Sequence, residues 1–306
     1  MALIPTVRRF NRTYTQRIGV LEESYLGTGR PLNVSRLLFE IGQTNGTTLR
    51  ALRERLDLDS GYLTRLVARL QREGLVRVTS DASDRRRRVV ELTRPGRAAV
   101  AELDDRSERL ASRLVEPLTP RQQRRLEEAL ATADLLVRAS TVHLREATQD
   151  DPAGRAALRR YCAELDRRFP QGFNPGLSTP EPGAHYVVAT SDGEPVAYGG
   201  IRPIKVGSRR PSAEIKRMWV HPEWRGAGLG SRMLRHLESL ARSHGFTRVV
   251  LDTNGTLTEA IALYDRAGYR RIDRYNDNPF AELFFEKRLP SKSRPEATVS
   301  SARPSR

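Results

Sequence analysis

The chain has a single cysteine, Cys162, among its 306 residues, which excludes an intrachain disulfide and any zinc site built from cysteines. Its five histidines are scattered, without the close pairs that bind metals, so no metal site is predicted. No apolar run is long enough for a membrane span, and residues 1–14 lack the apolar core of a signal peptide. We therefore expect a cytoplasmic protein without a metal and without a membrane partner.

Lysine is nearly absent too, because only four of the 53 basic residues are lysines and the others are arginines. Against 37 acidic residues this gives a net charge of +16, which favours a polyanionic partner such as nucleic acid. A GC-rich genome alone also produces an arginine bias. The charge therefore permits nucleic-acid binding without establishing it.

The hydrophobic pattern divides the chain into two halves and a tail. Residues 1–147 are predicted to form helices with one short hairpin, whereas strands and helices alternate over 150–290. The run Asp150-Asp151-Pro152 breaks the helix between these two predicted domains, and the Ser-, Pro- and Arg-rich residues 291–306 are expected to be disordered. A first amphipathic helix is predicted from apolar residues at three- and four-residue intervals: Val7, Phe10, Tyr14, Ile18, Leu21 and Tyr25.

The first half contains two short helices joined by a turn, Leu49–Leu56 and a second helix whose N-cap is Asp59 or Ser60. The second helix has an apolar stripe formed by Leu63, Leu66, Val67 and Leu70, and its opposite face carries Tyr62, Thr64, Arg65, Arg69 and Arg72. A helix with an apolar back and an Arg/Tyr/Thr front suits the reading of a DNA major groove. Two strands at 75–78 and 88–92 follow, joined by the arginine-rich residues 80–87.

Between residues 48 and 97 there are thirteen arginines and seven acidic residues, so positive charge is concentrated on this helix and hairpin. Residues 3–145 resemble the MarR family of winged-helix transcriptional regulators. The most specific matches are Asp81-x-x-Asp84-Arg85-Arg86, in the wing, and Val90-x-Leu92-Thr93-x-x-Gly96, at its exit. An isolated arginine run would be a solvated surface, but its position directly after a helix-turn-helix favours DNA binding.

The resemblance implies a mainly α winged helix-turn-helix that binds double-stranded DNA as a homodimer, joined through the first and last helices of this half. The operator would be a pseudo-palindrome. Arg86 would enter the minor groove, oriented by Asp81 or Asp84. The DNA-binding residues would be Ser60, Tyr62, Thr64, Arg65, Arg69, Arg85, Arg86 and Arg87. This half has no cysteine, so a thiol switch is excluded here.

The second half contains a glycine turn, Arg225-Gly226-Ala227-Gly228-Leu229-Gly230, between a strand ending at Val220 and a helix ending near Gly245. Glycines here let several backbone N–H groups approach one anion, and the helix N-terminus adds partial positive charge, which suits a pyrophosphate. The turn is neither a P-loop, since no Lys-Ser/Thr follows, nor a Rossmann fingerprint. The alternative is a tight turn whose glycines serve packing alone.

With its context Val220-His221-Pro222-x-x-Arg225-Gly226, the turn resembles the pyrophosphate loop of the GNAT family of N-acetyltransferases. The resemblance implies an α/β domain with a mixed central sheet flanked by helices, and acetyl-CoA as the acetyl donor. The implied cofactor-binding residues are Met218, Trp219, Val220, Arg225, Gly226, Ala227, Gly228, Leu229, Gly230, Ser231 and Asn254. Tyr264 matches the tyrosine that protonates the departing thiolate, and Glu214 matches a general-base position.

Four alternatives stay open, two for these residues and two for the whole chain. Tyr264 could be a packing residue, and Glu214 could be a salt-bridged residue in an enzyme that uses a water chain as base. We expect the acceptor, a primary amine, between residues 158–173 and 276–280, where Asp166, Asp277 or Glu282 could hold its charge. The chain would be a bifunctional regulator and N-acetyltransferase. Alternatively, its second half senses acetyl-CoA or another ligand without turnover, or its first half only dimerises.

Overall fold

The computed structural model describes residues 2–44, 46–80, 87–173, 181–191, 193–205 and 211–290. Contacts divide the chain into two compact units, Met1–Glu127 and Glu128–Arg306. The wing residues 81–86 and the predicted disordered tail at 291–306 lie outside the described residues. The predicted domain ranges, 1–147 and 150–290, stay a prediction.

Unit 1 is mainly helical with a small sheet. Its elements are α1 (Leu3–Arg17), α2 (Leu32–Gly42), β1 (Thr47–Thr48), α3 (Leu49–Leu56), α4 (Ser60–Arg72), β2 (Val76–Ser80), β3 (Arg88–Leu92), α5 (Arg94–Val115) and α6 (Pro120–Thr141), which runs past residue 127. The sheet order is β1-β3-β2, with both pairs antiparallel. This arrangement of α3, α4 and the β2–β3 hairpin is the predicted winged helix-turn-helix.

Local side-chain caps explain where α3 and α4 begin. The Thr48 hydroxyl accepts a hydrogen bond from the Ala51 N–H at 3.1 Å, and the Asp59 carboxylate accepts one from the Tyr62 N–H at 3.0 Å. The predicted apolar stripe of α4 is buried: Leu63, Leu66, Val67 and Leu70. It packs in one core with residues of α2, α3 and β3, including Leu37, Leu38, Leu52 and Val90.

The first helix differs from the prediction. The periodicity extends to Tyr25, but α1 ends at Arg17 and the chain turns at Gly19, whose φ of +66° is incompatible with a right-handed helix. No residue of α1 is buried, and its apolar side chains are exposed. Phe10, for example, is 52% exposed and stacks on Tyr14 at 5.6 Å between ring centroids.

Unit 2 is built on one mixed sheet. Its elements are β4 (Leu144–Ala147), α7 (Pro152–Arg168), β5 (His185–Ser191), β6 (Glu194–Ile204), β7 (Ser212–Val220), α8 (Leu229–Ser243), β8 (Arg248–Thr253), α9 (Thr258–Arg266), β9 (Arg270–Ile272) and β10 (Leu283–Arg288). The strand order is β4-β5-β6-β7-β8-β10-β9. β7 and β8 are parallel and the other pairs are antiparallel. The sequence pattern did not predict β4, which pairs with β5.

Helices cover both faces of this sheet, as predicted for an α/β domain. The buried face of α8, which includes Leu229, Met233, Leu234 and Leu237, packs in the main core with Ala213 and Ile215 of β7. On the other face, Ala157 of α7 packs with Tyr186, Tyr198 and Trp219. None of the helices in the described part of the chain has the length and apolar character needed to cross a membrane.

The parallel pairing of β7 with β8 is short, so part of the edge of β7 is left unpaired. The pairing joins Ser212, Ala213 and Glu214 to residues 248–250 and goes no further within the described residues. β7 nevertheless continues to Val220, paired with β6 on its other side. The edge of β7 from residue 216 onward is therefore left without ladder partners from β8.

Candidate functional site

The glycine turn links the end of β7 to the start of α8. Gly226 and Gly228 have φ angles of +84° and +77°, which side-chain-bearing residues rarely adopt. A Cβ added at either position would meet nothing within 4 Å. The backbone conformation, rather than tight packing, therefore requires these glycines, and the space in front of them is open.

The N-terminus of α8 is available to an anion. Its N-cap is Gly228, and no side chain caps the helix. The first N–H groups of a helix lack partners within the helix and carry partial positive charge. Together with the open space at Gly226 and Gly228, this end of α8 fits a phosphate or pyrophosphate group.

A cavity of about 320 Å³ begins at this turn and runs along the edge of β7 between α7 and α9. Nine of the eleven predicted cofactor-binding residues line it: Met218, Trp219, Val220, Arg225, Gly226, Gly228, Leu229, Gly230 and Ser231. The remaining wall comes from Tyr161, Glu164, Leu165, Arg168, Trp224, Leu257, Glu259, Ala260, Leu263 and Arg266. Ala227 and Asn254 are not part of the wall. The glycine turn, the edge of β7, α7 and α9 therefore border one common cavity.

Asn254 instead holds the turn after β8. Its Nδ2 donates to the Phe280 carbonyl at 2.9 Å, and its Oδ1 accepts from the Thr256 N–H at 3.0 Å. The side chain is buried by these contacts. Its predicted contact with the cofactor stays a prediction.

Tyr264 lies behind the cavity wall, on α9. Its ring packs near those of Tyr269 and Phe285, with centroids 5.8 and 5.7 Å away. Burial, and next the charge of Asp252, raises the pKa of the Tyr264 hydroxyl, so the group keeps its proton at neutral pH. A protonated hydroxyl is what a general acid needs. Tyr161 of α7, which the sequence analysis did not single out, lines the cavity directly.

Glu214 is fully buried in a polar network and does not line the cavity. Its carboxylate accepts hydrogen bonds from Arg202 Nε at 2.6 Å, the Tyr275 hydroxyl at 2.9 Å and Asn276 Nδ2 at 3.2 Å. Lys216 Nζ lies 3.5 Å away. Its role as the base stays a prediction.

The two segments expected to hold the acceptor come together. Phe173 follows α7 and Phe280 precedes β10, and their ring centroids are 4.9 Å apart. Tyr161 approaches Phe173 at 6.1 Å, which joins this aromatic group to the cavity wall. Of the three acids predicted there, Asp166 accepts from the Phe173 N–H and Glu282 accepts from the Gly255 N–H. Asp277 is exposed.

Two carboxylates of the cavity wall were missed by the sequence analysis. Glu164 accepts hydrogen bonds from Trp219 Nε1 at 2.9 Å and from Arg225 Nη2 at 2.5 Å, and Glu259 pairs with Arg168. Burial by itself raises the pKa of Glu164, but the hydrogen bonds from Arg225 and Trp219 outweigh it and lower the pKa overall. These partners lie 55 to 91 residues apart in sequence, so no local pattern reveals them.

In unit 1, α4 presents the predicted DNA-binding face. Ser60, Thr64 and Arg65 are exposed, and the Arg65 guanidinium lies 5.7 Å from the Tyr62 ring centroid. Tyr62 accepts a hydrogen bond from Asn33. Arg69 Nε is held by Glu73 at 3.0 Å, so it is less free than Arg65 to reach a phosphate or base.

The wing is described only in part. Arg85 and Arg86 lie outside the described residues, whereas Arg87 is described and exposed. β2 and β3, which carry the wing, pair from Val76–Leu92 to Ser80–Arg88. β3 has the predicted bounds, whereas β2 begins one residue later and ends two residues later than the predicted strand at 75–78.

The fold and this site define an acyltransferase domain of the kind that uses an acyl-CoA donor, preceded by a winged helix. The Acetyltransferase (GNAT) family model matches residues 143–269, and the MarR family model matches residues 28–87. The chain belongs to the GNAT acetyltransferase family, and its second half is an N-acetyltransferase domain. Its first half is a MarR-like winged helix.

Two sequence relatives agree with the acetyltransferase assignment of the second half. The chain is 35% identical over 142 residues to the uncharacterized N-acetyltransferase YjgM of Escherichia coli, an alignment covering 44% of this chain and 84% of that protein. It is 33% identical to the IAA acetyltransferase of Azospirillum brasilense over 43% of this chain and 86% of that protein. The structure of reduced MarR from E. coli aligns with 41% of this chain and 93% of its own, at 24% identity and a TM-score of 0.38.

Proposed function

We propose that the chain is a bifunctional protein, a DNA-binding transcriptional regulator and an acetyl-CoA-dependent N-acetyltransferase acting on a primary amine. The observation that carries the transferase half is the glycine turn. Its positive-φ glycines and the uncapped N-terminus of α8 open into a cavity of about 320 Å³ along the free edge of β7.

The residues present fit acetyl-CoA. Backbone N–H groups at 228–231 would hold the pyrophosphate, and the free edge of β7 at 218–220 would offer backbone groups to the amides of the pantetheine arm. When bound, acetyl-CoA supplies an activated acetyl thioester. Tyr264 keeps a proton on its hydroxyl oxygen, and we assign this proton to the departing thiolate, which requires the hydroxyl to reach the cavity from behind its wall. The aromatic group around Phe173 and Phe280 would exclude water from the acceptor side.

The enzymatic half is tested by thiol release from acetyl-CoA across a broad amine panel. The wild type should turn over with at least one amine, and Tyr264→Phe should lower kcat by about 10²-fold or more, the usual contribution of a positioned acid. Tyr264→Phe keeps the packing ring, so its fold should be retained. The absence of turnover with any amine would contradict the transferase activity, and full activity of Tyr264→Phe would contradict the role of Tyr264 as the acid.

For the first half we propose binding of a pseudo-palindromic operator by a homodimer. Support comes from the exposed Arg65 and Thr64 on α4, and from the exposed apolar side of α1, which offers a dimer surface. A duplex selected from a random pool provides the probe. Arg65→Ala should weaken binding and relax selectivity by about 1–3 kcal/mol, and Arg69→Ala should weaken it less. If both variants bind like the wild type, the winged helix serves dimerisation only.

One observation favours the second candidate function, in which the transferase half reports acetyl-CoA to the winged helix. Arg232, in the first turn of α8, donates to the carbonyls of Ala139 and Val142 at the end of α6. The Arg138 guanidinium lies 4.9 Å from the ring of Trp224, which lines the cavity. Saturating acetyl-CoA should then change DNA affinity in the wild type and less so in Arg232→Gln. An unchanged wild-type affinity excludes this sensor.

A further inference from the structure

Four charged side chains form a group on the cavity wall: Glu164 and Arg168 of α7, Arg225 of the glycine turn, and Glu259 of α9. Arg225 Nη2 lies 2.5 Å from Glu164, and its Nη1 lies 3.7 Å from Glu259. Arg168 Nη1 lies 3.3 Å from Glu164, and Arg168 Nη2 donates to Glu259 at 3.0 Å. Each arginine therefore contacts both carboxylates, and the formal charges of the group cancel.

The two carboxylates differ in how firmly they are held. The Glu164 side chain is 11% exposed and also accepts from the Trp219 indole, which fixes it to the end of β7. The Glu259 side chain is 48% exposed. Hydrogen bonds from Arg168 lower the pKa of Glu259 to about 2, so it is a carboxylate at neutral pH. Because solvent reaches Glu259, water can replace its arginine partners when it leaves the group, whereas Glu164 is largely shielded from water.

The position of the group matters because the same cavity is open to an anion at the N-terminus of α8. Arg168 and Arg225 are the guanidiniums that could add full positive charge to that site, together with Arg266. As long as Glu259 pairs with Arg168 and Arg225, its carboxylate neutralises part of their positive charge. An incoming phosphate therefore competes with Glu259 for the same donors.

We propose that Glu259 is a built-in competitor of the donor's phosphate groups, and that Glu164 is a positioning residue that holds Arg225 and Trp219 in the cavity wall. Donor binding transfers Arg168 and Arg225 from Glu259 to phosphate. This inference rests on the proposed binding of a coenzyme A donor in this cavity.

The two carboxylates then have opposite effects on affinity. Removing the charge of Glu259 frees the arginines, so Glu259→Gln should bind coenzyme A about fivefold more tightly, the size expected for an exposed ion pair. Removing the charge of Glu164 releases Arg225 and weakens the bond to Trp219, so Glu164→Gln should bind about tenfold more weakly. Both differences should shrink as salt rises from about 0.05 to 0.5 M, because exposed charges are screened.

Coenzyme A binding to the full chain is measured by calorimetry, without turnover. Glu223→Gln is the matched control, because Glu223 is an exposed glutamate three residues before Gly226, the first glycine of the turn, and does not line the cavity. It should bind like the wild type. Glu164→Asp keeps the charge and should recover part of the affinity lost in Glu164→Gln. A KM for acetyl-CoA that changes while kcat stays within about twofold separates positioning from general loss of structure.

Glu259→Gln binding no more tightly than the wild type, or Glu223→Gln showing the same gain, would overturn the competitor role. A Glu164→Gln variant with wild-type affinity would overturn the positioning role. If the wild type itself binds no coenzyme A, the proposed function fails first. A different result, in which the wild type binds coenzyme A and the variants bind it equally well, would overturn only the roles of Glu164 and Glu259.

Discussion

Gly228 gives the sharpest test of the glycine turn. Its φ of +77° lies in the left-handed region, while a Cβ at this position meets nothing within 4 Å. Gly228→Ala therefore adds no clash, and its whole cost is the backbone conformation, roughly 1–2 kcal/mol of unfolding free energy.

Gly230→Ala is the matched control, because the same methyl group is added two residues later. Gly230 lies in α8 without a positive φ, and its added Cβ would be 3.5 Å from Leu263 Cδ2, an ordinary contact. Alanine is favoured over glycine in a helix by roughly 0.5–1 kcal/mol. Gly230→Ala should therefore leave stability unchanged or raise it, although its methyl group enters the cavity wall.

The assay is urea unfolding followed by tryptophan fluorescence. The two tryptophans of the chain are Trp219 and Trp224, so the signal reports on unit 2 alone. Gly228→Ala should lower the midpoint without changing the slope with denaturant. Equal stabilities of Gly228→Ala and the wild type would refute the reasoning, because the turn would then not need a left-handed residue.

The remaining predictions concern three other positions. Burial, and next the adjacent His244, lowers the pKa of His185, so the unfolded chain takes up a proton first as pH falls below about 6.5. Unit 2 should keep its full stability above that pH and lose stability below it, and the loss should be smaller in His185→Gln. Equal pH profiles of the unfolding free energy for the wild type and the variant would contradict this. If Glu214 is the base, Glu214→Gln should lower kcat about 10²- to 10⁴-fold in folded protein. Thiol release near the wild-type rate would instead favour a water chain. Phe10→Glu should shift the protein to monomer in light scattering, and a persistent dimer would exclude α1 from the interface.

The parts of the fold that could be predicted from sequence are those specified locally. The stripe Leu63, Leu66, Val67 and Leu70 marks the buried side of α4, and Asp59 marks its start. Likewise, an apolar strand, a glycine turn and an amphipathic helix follow one another at 212–243 without interruption. Such segments need no distant partner to be recognised.

The remaining features depend on distant partners. β4 has only four residues, and its strand character comes from pairing with β5, 39 to 45 positions along the chain. Glu164 meets Arg225 across 61 positions. The end of α1 was missed for another reason, since apolar residues continue past Gly19 at helical spacing although the glycine turns the chain. Periodicity alone cannot detect that change.

The attachment of α6 to unit 2 decides how the protein can be divided. The last turn of α6 contributes Ala139 to the main core of unit 2, and Arg232 binds its terminal carbonyls. A fragment beginning at residue 150 would lack this turn and β4, leaving the edge of β5 bare and Arg232 without its acceptors. A transferase fragment should therefore begin within α6, so that Ala139 and Val142 stay in the core of unit 2.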